Sequence, residues 1–164
     1  MNHPLAQAES NSAQPESLLL QQARALVRGE QDRIANAANL AALIFNGMND
    51  VNWAGFYFTQ SDQLVLGPFQ GQPACVRIPW GQGVCGTAAA TGQTQRVRDV
   101  HAFEGHIACD AASQSEVVVP LIVEGAVLGV LDVDSPVVDR FSTNDQALLE
   151  DLAELYIRSI QAPN

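Results

Sequence analysis

The stretch Glu116–Ser135, EVVVPLIVEGAVLGVLDVDS, decides the architecture. Glu116 to Val123 is rich in β-branched residues, the composition of a strand. Glu124-Gly125 supplies a tight turn, and Ala126 to Val133 reads as the returning hairpin partner. The same texture recurs upstream. Val51 to Phe58 is β-branched and aromatic, Ser61-Asp62 marks a turn, and Leu64 to Leu66 reads as a second return strand. Gly and Pro dominate Gly67 to Pro79, which predicts a loop with at most a short strand at Val76–Ile78. Gly83 to Ala90 can open a helix closed near Gly92, and Thr94 to Val97 reads as a short strand. Asp99 to Ser115 has no clear period and predicts a long irregular segment, of the kind compact domains keep for function.

Helical periodicity brackets these strands. From Glu16 an apolar stripe runs through Leu19, Leu20, Ala23, Leu26 and Val27 until Gly29 interrupts it. Gln31 to Phe45 predicts a second helix, its face formed by Ile34, Ala37, Ala38, Ala41, Ile44 and Phe45, ended by Gly47. Ser142 or Thr143 caps a last helix, with Asp145 or Gln146 at the third position and Leu148, Leu149, Leu152, Leu155 and Tyr156 as its stripe. Strands joined by tight turns argue for an α+β domain rather than a doubly wound one. Its expected form is a central antiparallel sheet of about six strands flanked by N- and C-terminal helices covering its faces. Residues 1–15 are a polar leader, expected to be flexible, and residues 16–164 form the domain.

Composition narrows the function. The chain has 164 residues, 47% hydrophobic and 16% charged, enough apolar surface to offset ordering entropy. Its 8 basic residues are all arginines against 18 acidic ones, a net charge of −10. That balance opposes nucleic acid and anionic membrane as partners. Without lysine there is neither a Schiff-base lysine nor a P-loop lysine. No apolar run is long enough for a transmembrane helix, and Met1 to Gln14 lacks a signal-peptide pattern, so a cytoplasmic location is expected. An odd cysteine count is not that of a secreted disulfide scaffold.

Three groups of residues can carry chemistry. Cys75, Cys85 and Cys109 show no CxxC spacing, which removes zinc-ribbon and thioredoxin patterns. Each sits in a Gly-rich or irregular segment, where thiols can approach one another, rather than in a packing stripe. Asp132 and Asp134 share one strand face by period 2, and Glu116 falls near one of them across the hairpin. Clustered there, the acids raise one another's pKa; left at a solvated strand end, they do nothing. A hard cation is the sharper alternative for such a cluster, but no histidine supports it in sequence, and no metal is expected. Trp53 and Tyr57 also share a strand face, either as core or as an aromatic wall for a small ligand. His101 and His106 flank Phe103 as local cations, loop anchors or catalytic groups.

Taken in order, several runs resemble the free methionine-(R)-sulfoxide reductases, single GAF-domain enzymes. They are Asn52-Trp53-Ala54-Gly55-Phe56-Tyr57, Gly67-Pro68-Phe69-Gln70-Gly71, Pro73-Ala74-Cys75, Gly83-Val84-Cys85-Gly86-Thr87-Ala88, Val100-His101-Ala102-Phe103, Gly105-His106-Ile107-Ala108-Cys109-Asp110, Ser115-Glu116-Val117-Val118-Val119-Pro120 and Gly129-Val130-Leu131-Asp132-Val133-Asp134-Ser135-Pro136. The resemblance covers about residues 30–157. It implies a GAF fold. It implies that Cys109 attacks the sulfoxide, that Cys75 resolves the sulfenic acid, and that Cys85 is a third, alternative partner or relay. Glu116, Asp132 and Asp134 would bind the substrate's polar groups and assist protonation, with Trp53 and Tyr57 on the aromatic side of the pocket. It further implies free methionine (R)-sulfoxide as substrate, thioredoxin as external reductant, no bound cofactor, and a homodimer. The sequence departs where the family commonly carries lysine, at Gln72 and Gln82, and proline, at Glu104. These read as loop positions outside the catalytic set. Two rivals remain at this level. A non-enzymatic GAF sensor of a small molecule accounts for the aromatics and acids but not the thiols. A thiol-based oxidant sensor accounts for the thiols but has no need of the acids.

Overall fold

Glu124 and Gly125 both adopt positive φ, 50° and 79°, the geometry of the two-residue turn whose twist matches that of paired strands. That turn sets the register of the hairpin, and the rest of the sheet is built outward from it. The structure, a computed structural model, describes residues 16–106 and 112–161. Its elements are α1 (Leu18–Val27), α2 (Arg33–Gly47), β1 (Trp53–Gln60), β2 (Gln63–Gly71), β3 (Arg77–Pro79), α3 (Gly83–Thr91), β4 (Gln95–Val97), a 3-10 turn (Val100–Ala102), β5 (Ser115–Val123), β6 (Ala126–Ser135) and α4 (Thr143–Gln161). The six strands lie in the order β3-β2-β1-β6-β5-β4, and every neighbouring pair is antiparallel. The α+β expectation holds.

Local chemistry sets the helix starts. Ser17 accepts a hydrogen bond from the Leu20 amide, and Asp32 accepts from the Ile34 and Ala35 amides. Ser142 and Asp145 form a reciprocal cap. The Asp145 amide donates to Ser142 Oγ at 3.1 Å, and the Ser142 amide donates to Asp145 Oδ2 at 2.9 Å.

Alternation along the strands divides the interior in two. Ala54, Phe56 and Phe58 on β1, Val117, Val119 and Leu121 on β5, and Leu131 and Val133 on β6 face one core. There they pack on Leu40 and Ile44 of α2 and on Leu149, Leu152 and Tyr156 of α4, with α1 in the same layer. The terminal helices therefore cover one face rather than both. The opposite face carries Trp53, Tyr57, Val118 and Val130 and is covered by α3 through Val84, Cys85 and Ala88.

One expected loop is a strand. Within Gly67 to Pro79, β2 continues to Gly71 and pairs with β1 throughout, from Gln60↔Gln63 to Trp53↔Gly71. The Gly and Pro that suggested a loop mark a bulge. Gly55 pairs with Phe69 and Tyr57 with Leu66, so Gly67 and Pro68 together oppose Phe56. A bulge suits a proline that lacks an amide, and a Cβ on Gly67 would lie 2.9 Å from the Phe56 carbonyl oxygen. Among the described residues no helix is long and apolar enough to cross a membrane.

Candidate active site

The sheet register gathers the expected site residues. Trp53 on β1 stands opposite Asp134 on β6, which stands opposite Glu116 on β5. In the row two residues away, Gly55 stands opposite Asp132, which stands opposite Val118. All these positions share the face under α3. Of these, Trp53, Glu116, Asp132 and Asp134 line one pocket with Tyr57, Cys85, Gln82, Gly83, Val84, His106 and Ser113. Gly55 is the gap that lets Trp53 and Tyr57 stack, with ring centroids 5.9 Å apart. Phe69 backs the Trp53 ring at 5.2 Å. The indole Nε1 donates to the Gln72 carbonyl at 3.1 Å, which fixes the ring.

Helix α3 delivers the thiol of Cys85. Gly86 permits its close seat, because a Cβ there would lie 2.5 Å from the Pro79 carbonyl oxygen. The Gly81 amide donates to the Gly86 carbonyl at 2.8 Å, and the Gly83 amide to the Gly105 carbonyl at 3.1 Å. The N-terminal turn of α3 thus lies at the pocket, and its dipole favours negative charge there.

The electrostatics follow from burial. Glu116, Asp132 and Asp134 are only 8%, 6% and 9% exposed. Burial, then the neighbouring Asp132 and Asp134 charges, pushes Glu116 well above the usual carboxylate range. Burial and the Asp134 charge do the same to Asp132. Both carboxyls therefore hold protons at higher pH than ordinary acids. Cys85 donates to Asp132 Oδ2 at 3.3 Å. Its thiol is pushed well up by burial first and then by Asp132, Glu116 and Asp134. The Tyr57 hydroxyl is also raised, by burial and then Asp132, and donates to the Cys75 carbonyl at 2.9 Å. His106 is lowered by burial and by His101, so its imidazole favours the neutral form.

The two described cysteines have different states. Cys85 is a buried free thiol, and Cys75 is disulfide-bonded. Cys109 lies outside the described residues. Of the two histidines flanking Phe103, His106 lines the pocket, whereas His101 is exposed on the 3-10 turn. Sequence reading missed Ser113, which accepts a hydrogen bond from Asn52 Nδ2 at 3.3 Å and lies in the pocket wall. Its only signal was its place in the aperiodic segment before β5. Gln82, read as a peripheral loop position, also lines the pocket, as the residue before the first turn of α3.

A GAF domain family model matches residues 31–161. The free methionine-R-sulfoxide reductase of Escherichia coli is 57% identical over 128 residues, 78% of this chain and 78% of that protein. The enzyme of the same name from Saccharomyces cerevisiae is 46% identical over 139 residues, 80% of this chain and 77% of that protein. Among solved structures, fRMsr of Staphylococcus aureus in complex with substrate is 48% identical with a TM-score of 0.83. The match covers 87% of this chain and 94% of that one.

Proposed function

The chain belongs to the GAF domain family and, within it, to the free methionine-R-sulfoxide reductases, and from that premise we propose how it acts: it reduces free L-methionine (R)-sulfoxide with its own thiols, recycled by thioredoxin. The observation that carries this reading is a buried carboxyl cluster that retains protons, set beside a thiol and beneath a rigid Trp53–Tyr57 wall.

Reduction of a sulfoxide needs a nucleophile at sulfur and a proton at oxygen. In the proposed cycle Cys109 attacks the sulfur as thiolate while a protonated carboxyl of the Glu116–Asp132–Asp134 cluster donates to the oxygen. The S–O bond breaks, oxygen passes to Cys109, and methionine leaves with the enzyme as sulfenic acid. The Cys75 thiol condenses with that sulfenic acid, a disulfide forms, and water is released. Thioredoxin dithiol then reduces the disulfide by exchange. The disulfide state of Cys75 and the free state of Cys85 support Cys75 as the resolving residue. Burial and the raised pKa of Cys85 make it a slow nucleophile, which suits a reserve or relay role.

The substrate's ammonium is assigned to the acid cluster, its carboxylate to the N-terminal turn of α3, and its S-methyl end to the aromatic wall. A methionine inside a polypeptide lacks both charged groups, which accounts for selectivity toward the free amino acid. The same ammonium offsets the negative field that disfavours thiolate, so Cys109 is activated chiefly in the complex. No bound cofactor takes part in the proposed cycle. A cytoplasmic homodimer, with residues 16–164 as one catalytic domain behind the leader, completes the proposal.

The test is a single turnover. The fully reduced protein, mixed with methionine (R)-sulfoxide and no reductant, is expected to form methionine and lose two thiols per methionine formed. Cys109→Ser is expected to form none. Methionine production by Cys109→Ser at the wild-type yield contradicts the assignment.

A further inference from the structure

We propose that the free edge of β3, at Cys75-Val76-Arg77, is the surface on which the recycling dithiol protein docks, and that Cys75 carries the sulfur it attacks. This docking rests on the thioredoxin-dependent cycle proposed above. β3 is the terminal strand of the sheet, so one of its edges has no strand beside it. The Val76 carbonyl accepts the Leu66 amide at 2.9 Å, and Ile78 pairs with Leu64. Antiparallel alternation therefore turns the N–H and C=O of Arg77 away from β2, toward the free edge. The chain leading into β3 is tied down from its inner side. Trp53 Nε1 donates to the Gln72 carbonyl at 3.1 Å, and the Tyr57 hydroxyl donates to the Cys75 carbonyl at 2.9 Å. The edge is thus held in shape for an extended segment of a partner to add to it.

The chemistry beside the edge selects the occupant. Cys75 is half-buried and disulfide-bonded, immediately before Val76, whereas the free thiol of Cys85 is buried. A disulfide at a reachable edge calls for a protein that brings a thiol to it. Val76 is 60% exposed and offers an apolar contact next to the sulfur. Arg77 is the one charged residue from Gln63 to Gln95 in a chain of net charge −10, and it makes no ion pair among the described residues. This stretch therefore lacks the acids that would repel an acidic partner, and Arg77 supplies a cation to attract one. The partner that fits is a thioredoxin-type protein with apolar surface around its reactive thiol and a carboxylate at the rim. Its thiolate attacks Cys75 Sγ, the disulfide breaks, and the other sulfur of that disulfide leaves. The second partner thiolate then attacks the partner's own sulfur in the mixed disulfide, and Cys75 leaves. The partner ends as a disulfide, two electrons poorer, and its two thiol protons end on the two released sulfurs.

The test starts from the disulfide form of the full-length protein. It is mixed with a thioredoxin whose second thiol is replaced by serine, and the trapped mixed disulfide is mapped by mass spectrometry. The bond is expected at Cys75, and hydrogen exchange of the Arg77 amide, followed by NMR, is expected to be slower in the trapped complex than in the free protein. With intact thioredoxin, Arg77→Glu and Val76→Asp are each expected to slow reduction of the disulfide by at least about tenfold. Reduction by dithiothreitol, which needs no docking, is expected to stay within about twofold of wild type in both. Circular dichroism matching the wild type establishes that each variant is folded. A mixed disulfide at Cys109, unchanged exchange of the Arg77 amide, or wild-type rates with thioredoxin in both folded variants overturns the docking surface. Failure of thioredoxin to reduce a disulfide that dithiothreitol reduces overturns it together with the choice of recycling partner. Methionine formation by the dithiothreitol-reduced protein measures the reductase activity separately, so failure of that activity is distinguishable from failure of docking.

Discussion

Glu116 and Asp134 stand directly opposite one another on β5 and β6, both buried, with Asp132 two residues along the same strand face. Three acids are thus crowded where water is scarce. Protons or cations are the only inexpensive way to neutralise them.

Stability therefore depends on pH in a defined direction. The folded-state pKa values of Glu116 and Asp132 are raised above ordinary values of 4.5 and 3.8, so the native state holds protons that the unfolded state releases. Their contribution is fully present below the unfolded values and is lost as pH rises through the folded ones. Asp132→Asn and Glu116→Gln remove this penalty. Each is expected to be more stable than wild type near neutral pH by about 0.5–2 kcal/mol, with the advantage shrinking toward pH 4. Thermal melts across pH check this, and each variant is expected to lose activity.

The aromatic wall depends on a missing side chain. A Cβ on Gly55 would lie 2.4 Å from Phe69 Cβ and 2.8 Å from the Trp53 ring. Gly55→Ala is expected to cost about 1–3 kcal/mol. By displacing the Trp53–Tyr57 stack it is also expected to raise KM more than it lowers kcat. Steady-state kinetics alongside denaturant melts separate the two effects.

The Cys85 thiol is expected to react slowly. Burial and three nearby acids suppress its thiolate. In the disulfide form, alkylation by iodoacetamide at pH 8 is expected to be at least about tenfold slower than that of free cysteine. Asp132→Asn, which removes the largest charged contribution, is expected to accelerate it. Mass spectrometry of the alkylated protein measures both rates.

The two remaining thiols are expected to fail differently. Cys75→Ser should retain the single turnover of reduced enzyme but lose thioredoxin-driven steady-state turnover by at least about tenfold, because no efficient disulfide forms for exchange. Cys109→Ser should lose both. Quenched-flow methionine yields, compared with steady-state rates, distinguish the two.

What the sequence disclosed followed local rules. Glu124-Gly125 and the period-2 pattern around it set the β5–β6 register, so Glu116, Asp132 and Asp134 could be put on one face before any coordinates. Ser142 and Asp145 announced the α4 cap. What stayed hidden was non-local. Nothing in 67–71 shows that Gly67 and Pro68 form a bulge against Phe56, because the signal belongs to the partner strand. The β1–β6 pairing that sets Trp53 against Asp134 joins segments remote in sequence. Burial of the acids depends on α3, and the Cys85–Asp132 contact spans 47 positions, beyond the reach of any periodicity. The family resemblance supplied roles for these residues, whereas the proton-holding state of Glu116 and Asp132 required the packed geometry.

The most direct measurement of the central claim is NADPH oxidation coupled through thioredoxin reductase and thioredoxin, with the separated epimers of free methionine sulfoxide as substrates. The account predicts turnover of the R epimer, none of the S epimer, and loss of the R activity in Cys109→Ser. No turnover of either epimer by fully reduced, folded protein would contradict it.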